Sequence, residues 1–232
     1  MMNNYTGADT IKDIAEMILR FKSKNLLSVN TFKQTDEIAN GILHLMNTKD
    51  TALSSLSRLR KYDPYTFSHS INVFYVSVAI GSMVGLDKTR LSDLGISAIL
   101  HDIGKMSIPK RILNKRSKLT DSEFSIIKKH TCEGFSFAKE HISLSEAAFP
   151  GILHHHEKYN GTGYPIGIKG EQIDLLARII SVADVYDAMT SDRPYRKALT
   201  RNEAVGFIRA NSGTHFDPKI ASLFLESIAA GD

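Results

Sequence analysis

Histidine and aspartate recur at intervals inside the apolar stretches of this 232-residue chain, and that pattern limits its fold more than any other feature. His69 is followed by the pair His101 and Asp102, then His130, then His155 and His156, then Asp184. The intervals are 32, 28, 25 and 28 residues, each about enough for one helix, a connection and the start of the next. Most of these residues lie in apolar surroundings: SAILHDIGK at 97–105, IIKKHTCEG at 126–134, GILHHHE at 151–157 and RIISVADVYDA at 178–188. A buried polar side chain without a partner costs roughly 1 to 3 kcal/mol, and a buried charge more. Several such groups along one core therefore need a common partner, and a metal centre supplies one. Helical bundles build such centres from inward-facing side chains on separate helices.

The donor types narrow the metal. Imidazole and carboxylate without thiolate suit Fe, Mn, Zn or Ni. Five histidines and two aspartates exceed the four ligands of a mononuclear tetrahedral site, so two metals fit better. A single histidine on an apolar face is more often a satisfied core residue, and neither His69 nor His130 alone would carry this reading. The adjacent pair His101 and Asp102 is harder to explain by packing. His44, His141 and His215 read as ordinary histidines. His154 stays open, because three neighbouring helix positions point about 100° apart and cannot all face one site.

The rest of the chain reads as helix. Residues 8–24 place Ile11, Ile14 and Ile18 on one face, residues 29–47 do the same with Phe32, Ile38, Ile42 and Leu45, and Leu53, Leu56 and Leu59 mark another helix. Apolar periodic segments follow at 65–84, 90–104, 121–139, 146–157, 172–189, 201–210 and 218–229. Thr120 with Glu123 three residues later has the spacing of a capping box. Strand-like alternation is not sustained anywhere. The expected architecture is an all-α bundle, with residues 1–60 as a small helical region of unassigned role and 61–232 as the chemical domain.

Bulk properties exclude several classes. A net charge of +4 falls short of a nucleic-acid-binding signature and suits a small anionic ligand. Cys132 is the only cysteine, which rules out an internal disulfide and a cysteine-based zinc cluster. Asp9, Lys12, Asp13 and Glu16 interrupt the first twenty residues, leaving no apolar signal segment, and a cytoplasmic protein is expected. The uncharged run at 71–86 is shorter than the ~20 residues of a membrane span and reads as a buried helix.

Several motifs together resemble a known family. HDIGK at 101–105 is similar to the HD-phosphohydrolase signature, and HHEKYNGTGYP at 155–165 to the second signature that defines the HD-GYP subfamily. YTFSHS at 65–70, LTDSEF at 119–124, ARIISVADVYDAMTSDRPYRKAL at 177–199 and GTHFDP at 213–218 match as well, in the right order and spacing. The resemblance covers about residues 60–225 and implies a helical domain of the HD-phosphohydrolase type that hydrolyses cyclic di-GMP. It implies one metal on His69, His101, Asp102 and Asp184 and another on His130, His155, His156 and the same Asp102. Fe or Mn is the expected metal pair, with Ni and Zn as alternatives.

The resemblance also assigns Lys105, with Asp102, to the catalytic set. Lys105, Gly163, Tyr164, Pro165, Arg193 and Arg196 become substrate contacts; Lys105 and the two arginines also read as surface cations. The expected product is the linear dinucleotide pGpG, with a second cut to GMP. Other readings are an HD phosphohydrolase acting on cyclic GMP-AMP or another nucleotide, and a binding module with weak turnover. The GYP loop is tied by resemblance to contacts with diguanylate cyclases or other proteins, and a homodimer is a further expectation. Two departures stand out. Tyr65 occupies the position where some members carry a glutamate for a third metal, which implies a binuclear centre, and Asn160 stands where an aspartate is common. From 104 to 120 the chain has no acidic residue, which reads as a cationic funnel or a solvated loop.

Overall fold

The computed structural model describes residues 50–192 and 197–229. The helices expected over 8–24 and 29–47 lie outside these residues, as do His44, Arg193 and Arg196. Among the described residues there is no β-strand; one isolated bridge joins Ser212 and Phe216. The helices are α1 (Asp50–Tyr62), α2 (Pro64–Val84), α3 (Lys88–Leu100), α4 (Lys110–Leu113), α5 (Asp121–Lys128), α6 (His130–His141), α7 (Phe149–His154), α8 (Leu175–Thr190), α9 (Arg201–Ala210) and α10 (Pro218–Ala229).

Local chemistry sets the helix boundaries. Asp63 caps α2 by accepting from Tyr65 N and Thr66 Oγ1, and Pro64 fills the first helical position, where its missing N–H costs nothing. Gly85 ends the same helix at φ 85, in the left-handed region that glycine enters without strain. Capping boxes open α5 at Thr120 and Glu123 and α9 at Thr200 and Glu203. Asp174 caps α8 through Leu176 N.

α2 is the centre of the bundle, packed against α1, α3 and α8. It is the one helix among the described residues long and apolar enough to span a bilayer, and 72% of its apolar window is buried inside the molecule. Leu56 and Leu59 of α1 join Ile71, Phe74 and Val78 of α2, Leu94 and Ile99 of α3, and Ile179 and Ile180 of α8 in one core. Burial of such side chains, roughly 1.5 to 3 kcal/mol each, is the main force holding the helices together.

Three segments differ from the periodicity reading. The segment at 90–104 stops at Leu100 and continues as a 3-10 turn, Ile103–Ser107. The segment at 121–139 divides at Lys129, whose N–H bonds Ile126 O and so tightens the chain between α5 and α6. The segment at 146–157 becomes a 3-10 turn, Glu146–Ala148, followed by the short α7 with Pro150 in its first turn. These breaks put His101, His130 and His155 at helix ends.

Candidate metal centre

Five elements contribute to one buried site. His69 comes from the middle of α2, His101 and Asp102 from the end of α3, His130 from the start of α6, His155 and His156 from the end of α7, and Asp184 from α8. All are buried except His156, whose side chain is 25% exposed. They form two groups: Asp102, His130, His155 and His156, and His69, His101 and Asp184, with the donor atoms of each group within 4.8 Å of one another. Asp102 connects them. Its Oδ1 lies 3.3 Å from His130 Nε2, and its Oδ2 lies 3.3 Å from His101 Nε2 and 3.7 Å from His69 Nε2. Asp184 spans the groups too, 3.0 Å from His69 Nε2 and 3.7 Å from His156 Nδ1. All seven residues singled out in the sequence as ligand candidates therefore converge.

Backbone contacts orient three of the rings. Nδ1 of His101 lies 2.6 Å from Ala98 O, that of His130 2.8 Å from Ile127 O, and that of His155 2.9 Å from Ile152 O. A carbonyl only accepts, so each Nδ1 donates and each Nε2 turns a lone pair inward. His130 Nε2 and His155 Nε2 then face each other at 3.3 Å, lone pair against lone pair. His101 Nε2 and Asp102 Oδ1 are buried with no hydrogen-bond partner among the described residues. A cation between these atoms would give them a common partner, and the nitrogen and oxygen donor set fits a divalent transition metal.

The electrostatics divide along the same line. Burial pushes His130 down to about 4 and His156 down to about 3, and holds His155 well below the usual histidine range, so all three are neutral at pH 7. Burial also acts against charge on His69, but hydrogen bonds to the Asp184 and Asp187 carboxylates outweigh it and raise that ring to about 9. Burial disfavours the charged Asp102, yet Lys105 and His101 hold its carboxyl well below the usual range. Asp184 is held low in the same way, by its hydrogen bond to His69 and by His156.

Lys105, one turn beyond His101, places Nζ 2.5 Å from Asp102 Oδ2 at the edge of a cavity of about 360 Å³. His130, His156, Asp184 and Tyr164 also line this cavity. The Tyr164 ring lies 4.8 Å from that of His156, and burial, with Asp184 and Asp102 nearby, pushes its phenol pKa up, so the hydroxyl stays protonated.

The loop that carries Tyr164 is shaped by backbone contacts. A Cβ on Gly163 would lie 2.3 Å from Lys158 N and 2.5 Å from Glu157 Cα, so only glycine fits there. The buried Glu157 carboxylate accepts from Ile166 N at 2.7 Å and Gly167 N at 2.9 Å, and Tyr164 N donates to His156 O. Pro165 follows Tyr164 through a cis peptide bond.

Other residues fall less centrally. His141 is at the surface, and His154 is half-buried outside both donor groups. The Tyr65 ring stacks parallel to His69 at 6.1 Å, so that position offers no carboxylate. In the basic stretch, Lys115 pairs with Glu123, Lys110 lies over the Tyr62 ring, and only Lys105 lines the cavity.

The sequence reading missed three features. His215, taken there as an ordinary histidine, lines the cavity beside Lys158, stacked flat on Phe216. Burial, then the Lys158 charge, lowers it to about 4. Glu157 supports the loop, and Asp187 bonds His69 Nδ1 at 2.6 Å. Glu157 is visible in sequence only as an acidic residue after paired histidines, and Asp187 only as an acid in an apolar stretch, one turn after Asp184.

A family model described as the HD domain matches residues 33–220. A cyclic di-GMP phosphodiesterase of Pseudomonas aeruginosa is 42% identical over 193 residues, which cover 83% of this chain and 45% of that protein. A cyclic di-GMP phosphodiesterase response regulator of Xanthomonas campestris pv. campestris is 34% identical over 236 residues, covering 94% of this chain and 61% of that one. The chain thus spans less than two thirds of the length of either relative. Among solved structures, a cyclic GMP-AMP specific phosphodiesterase of Vibrio cholerae is similar with a TM-score of 0.54 and 26% identity, over 70% of this chain and 44% of that one.

Proposed function

The chain belongs to the HD domain family, and from that premise we propose that it is a metal-dependent phosphodiesterase acting on cyclic dinucleotides, chiefly cyclic di-GMP. One observation carries the reading: seven imidazoles and carboxylates, all but His156 buried, converge in two groups that Asp102 connects, beside a cavity edged by Lys105. A degenerate binding module would lack some of these side chains.

Two divalent ions, Fe or Mn before Ni or Zn, would be held by His69, His101, Asp102 and Asp184 and by His130, His155, His156 and Asp102. When bound, they supply Lewis acidity that activates water and offsets phosphate charge. The chain's own residues do the rest. The carboxylate of Asp102, kept ionised beside Lys105, holds the two donor groups in one frame. The Lys105 ammonium is placed to neutralise charge that builds on the nonbridging phosphate oxygens. Tyr164 keeps its proton and offers an O–H donor on the cavity wall, while Gly163 and Pro165 shape the loop behind it. Arg193 and Arg196 are assigned to the substrate phosphates by resemblance, where a guanidinium fork suits a phosphate. The water oxygen adds to phosphorus and gives up a proton, one P–O bond of the ring breaks, and the leaving oxygen takes up a proton to become a hydroxyl, giving pGpG; a second hydrolysis gives GMP.

Cyclic GMP-AMP is the second reading, favoured by the similarity to the Vibrio cholerae enzyme specific for it. A substrate of either kind places the protein in the cytoplasm. The exposed Ile166 and Phe124, beside the Tyr164 loop, support a protein partner there, a diguanylate cyclase by resemblance. Anaerobic purification, elemental analysis and time courses on both cyclic dinucleotides test the proposal. The expected result is two ions per chain and faster loss of cyclic di-GMP, with both metal and turnover removed in Asp102→Ala. Full activity in a preparation without transition metal, or in Asp102→Ala, refutes it.

A further inference from the structure

His69 differs from the other inward-facing histidines in what holds it. Ala98, Ile127 and Ile152, whose carbonyls orient His101, His130 and His155, all lie in the last turns of their helices. Helix geometry leaves last-turn carbonyls without an amide partner four residues on, so each has a lone pair to offer an imidazole N–H. His69 sits in the interior of Pro64–Val84, where the preceding carbonyls are committed to the helix. It needs an acceptor from elsewhere.

Asp187 provides it. The residue is buried on α8, one turn after Asp184, and the two carboxylates grip opposite nitrogens of the His69 ring: Asp184 Oδ1 is 3.0 Å from Nε2, and Asp187 Oδ2 is 2.6 Å from Nδ1. Asp187 belongs to neither donor group. Its other oxygen accepts from Asn72 Nδ2 at 2.8 Å and Ser191 Oγ at 2.8 Å. Asn72 lies on α2, three residues after His69, and Ser191 directly follows α8, so the carboxylate is fixed from both helices.

We propose that Asp187 is a positioning residue: by accepting from Nδ1 it keeps the His69 ring in the tautomer and orientation that turn an Nε2 lone pair toward Asp102 and Asp184. It rests on the metal-centre reading above, and touches neither substrate nor ion. An amide at this position can present an N–H to Nδ1, which forces the ring proton onto Nε2, where it blocks ligation. Loss of such an outer partner typically weakens metal binding roughly 10- to 100-fold.

Calorimetric titration of the metal-stripped chain with Mn²⁺ alone tests this. Wild type is expected to bind two ions. Asp187→Asn is expected to bind one with wild-type affinity and the other roughly 10- to 100-fold more weakly, with unchanged helical circular dichroism. Asn72→Ala and Ser191→Ala, which keep the carboxylate but remove one of its donors, are expected to weaken the same ion by a smaller factor. Two wild-type affinities in Asp187→Asn overturn the proposal, as does equal weakening of both ions, which indicates general damage. If Asp187→Asn does not fold, unchanged affinities in both milder variants overturn it. A wild-type chain that binds no ion removes the metal reading itself, and this inference with it.

Discussion

Gly104→Ala puts a methyl group where the chain has no room for one. The new Cβ would lie 2.0 Å from His130 O, 2.5 Å from Gly134 N and 2.9 Å from Gly134 Cα. All three are backbone atoms and cannot rotate away. Real Cβ contacts are essentially never under 3.0 Å, so the turn Ile103–Ser107 and helix α6 must separate by at least 1 Å. That displacement falls on the Asp102 Oδ1 and His130 Nε2 pair, now 3.3 Å apart, because the two residues sit on the two backbones being pushed apart. A metal site tolerates about 0.5 Å of error in its ligands.

Overpacking of this kind costs roughly 1 to 3 kcal/mol, and at about 2 to 4 °C per kcal/mol for a chain of this size the melting temperature should fall by roughly 2 to 12 °C. A thermal melt by circular dichroism, together with Mn²⁺ stoichiometry, measures both effects. The expected variant is helical, melts earlier and loses the ion of the His130 group. Gly134→Ala is the internal control, since its nearest Cβ contact is 3.2 Å. A Gly104→Ala chain with wild-type melting and two ions refutes the reasoning.

Lys105→Ala should keep both ions by elemental analysis and lower kcat by about 100-fold, the scale of removing one charge-stabilising donor; a wild-type kcat, or loss of metal, contradicts the role given to it. The metal-free protein should be acid-labile. His130 stays neutral in the fold down to about pH 4 and His156 down to about pH 3, and burial holds His155 well below the usual histidine range, whereas in the unfolded chain all three take up protons near ~6.5. The unfolded state therefore binds more protons below that pH, and stability falls on acidification with a slope approaching about 4 kcal/mol per pH unit for three rings. His69, protonated in both states there, adds no pH dependence below ~6.5, where its stabilising contribution is fully present, and that contribution is lost as pH rises through about 9. Equal urea midpoints at pH 7 and pH 5.5 for the stripped protein count against this picture.

What could be read in the sequence was what depends on neighbours in sequence. The capping box at Thr120 and Glu123 is a local hydrogen-bond pattern, and it is present. The apolar run through Ile71 and Val78 predicts a buried helix, and α2 is one. The histidine and aspartate pattern stood out because each residue contradicts the apolar stretch around it, and the fold brings all seven together. The breaks after Leu100 and at Lys129 were not legible, since the close passage of Gly104 against His130 O involves segments far apart in sequence. Asp187 was missed for the same reason: it meets His69 across 118 positions, and periodicity alone makes it one more polar residue on α8. His215 reaches the cavity because Tyr159 N and Asn160 N pair with His215 O and Thr214 O, a loop-to-loop contact that no helical period encodes.

The carboxylate of Glu157 holds the segment beyond Pro165 by its peptide groups and not by its side chains. The wall of the cavity is thus built independently of the residue displayed at position 166, where Ile166 is 63% exposed. Drift or selection can change that outward face, retuning whichever molecule touches it, while the inner face toward Tyr164 and His156 keeps its contour. One loop can in this way serve two evolutionary pressures without a compromise between them.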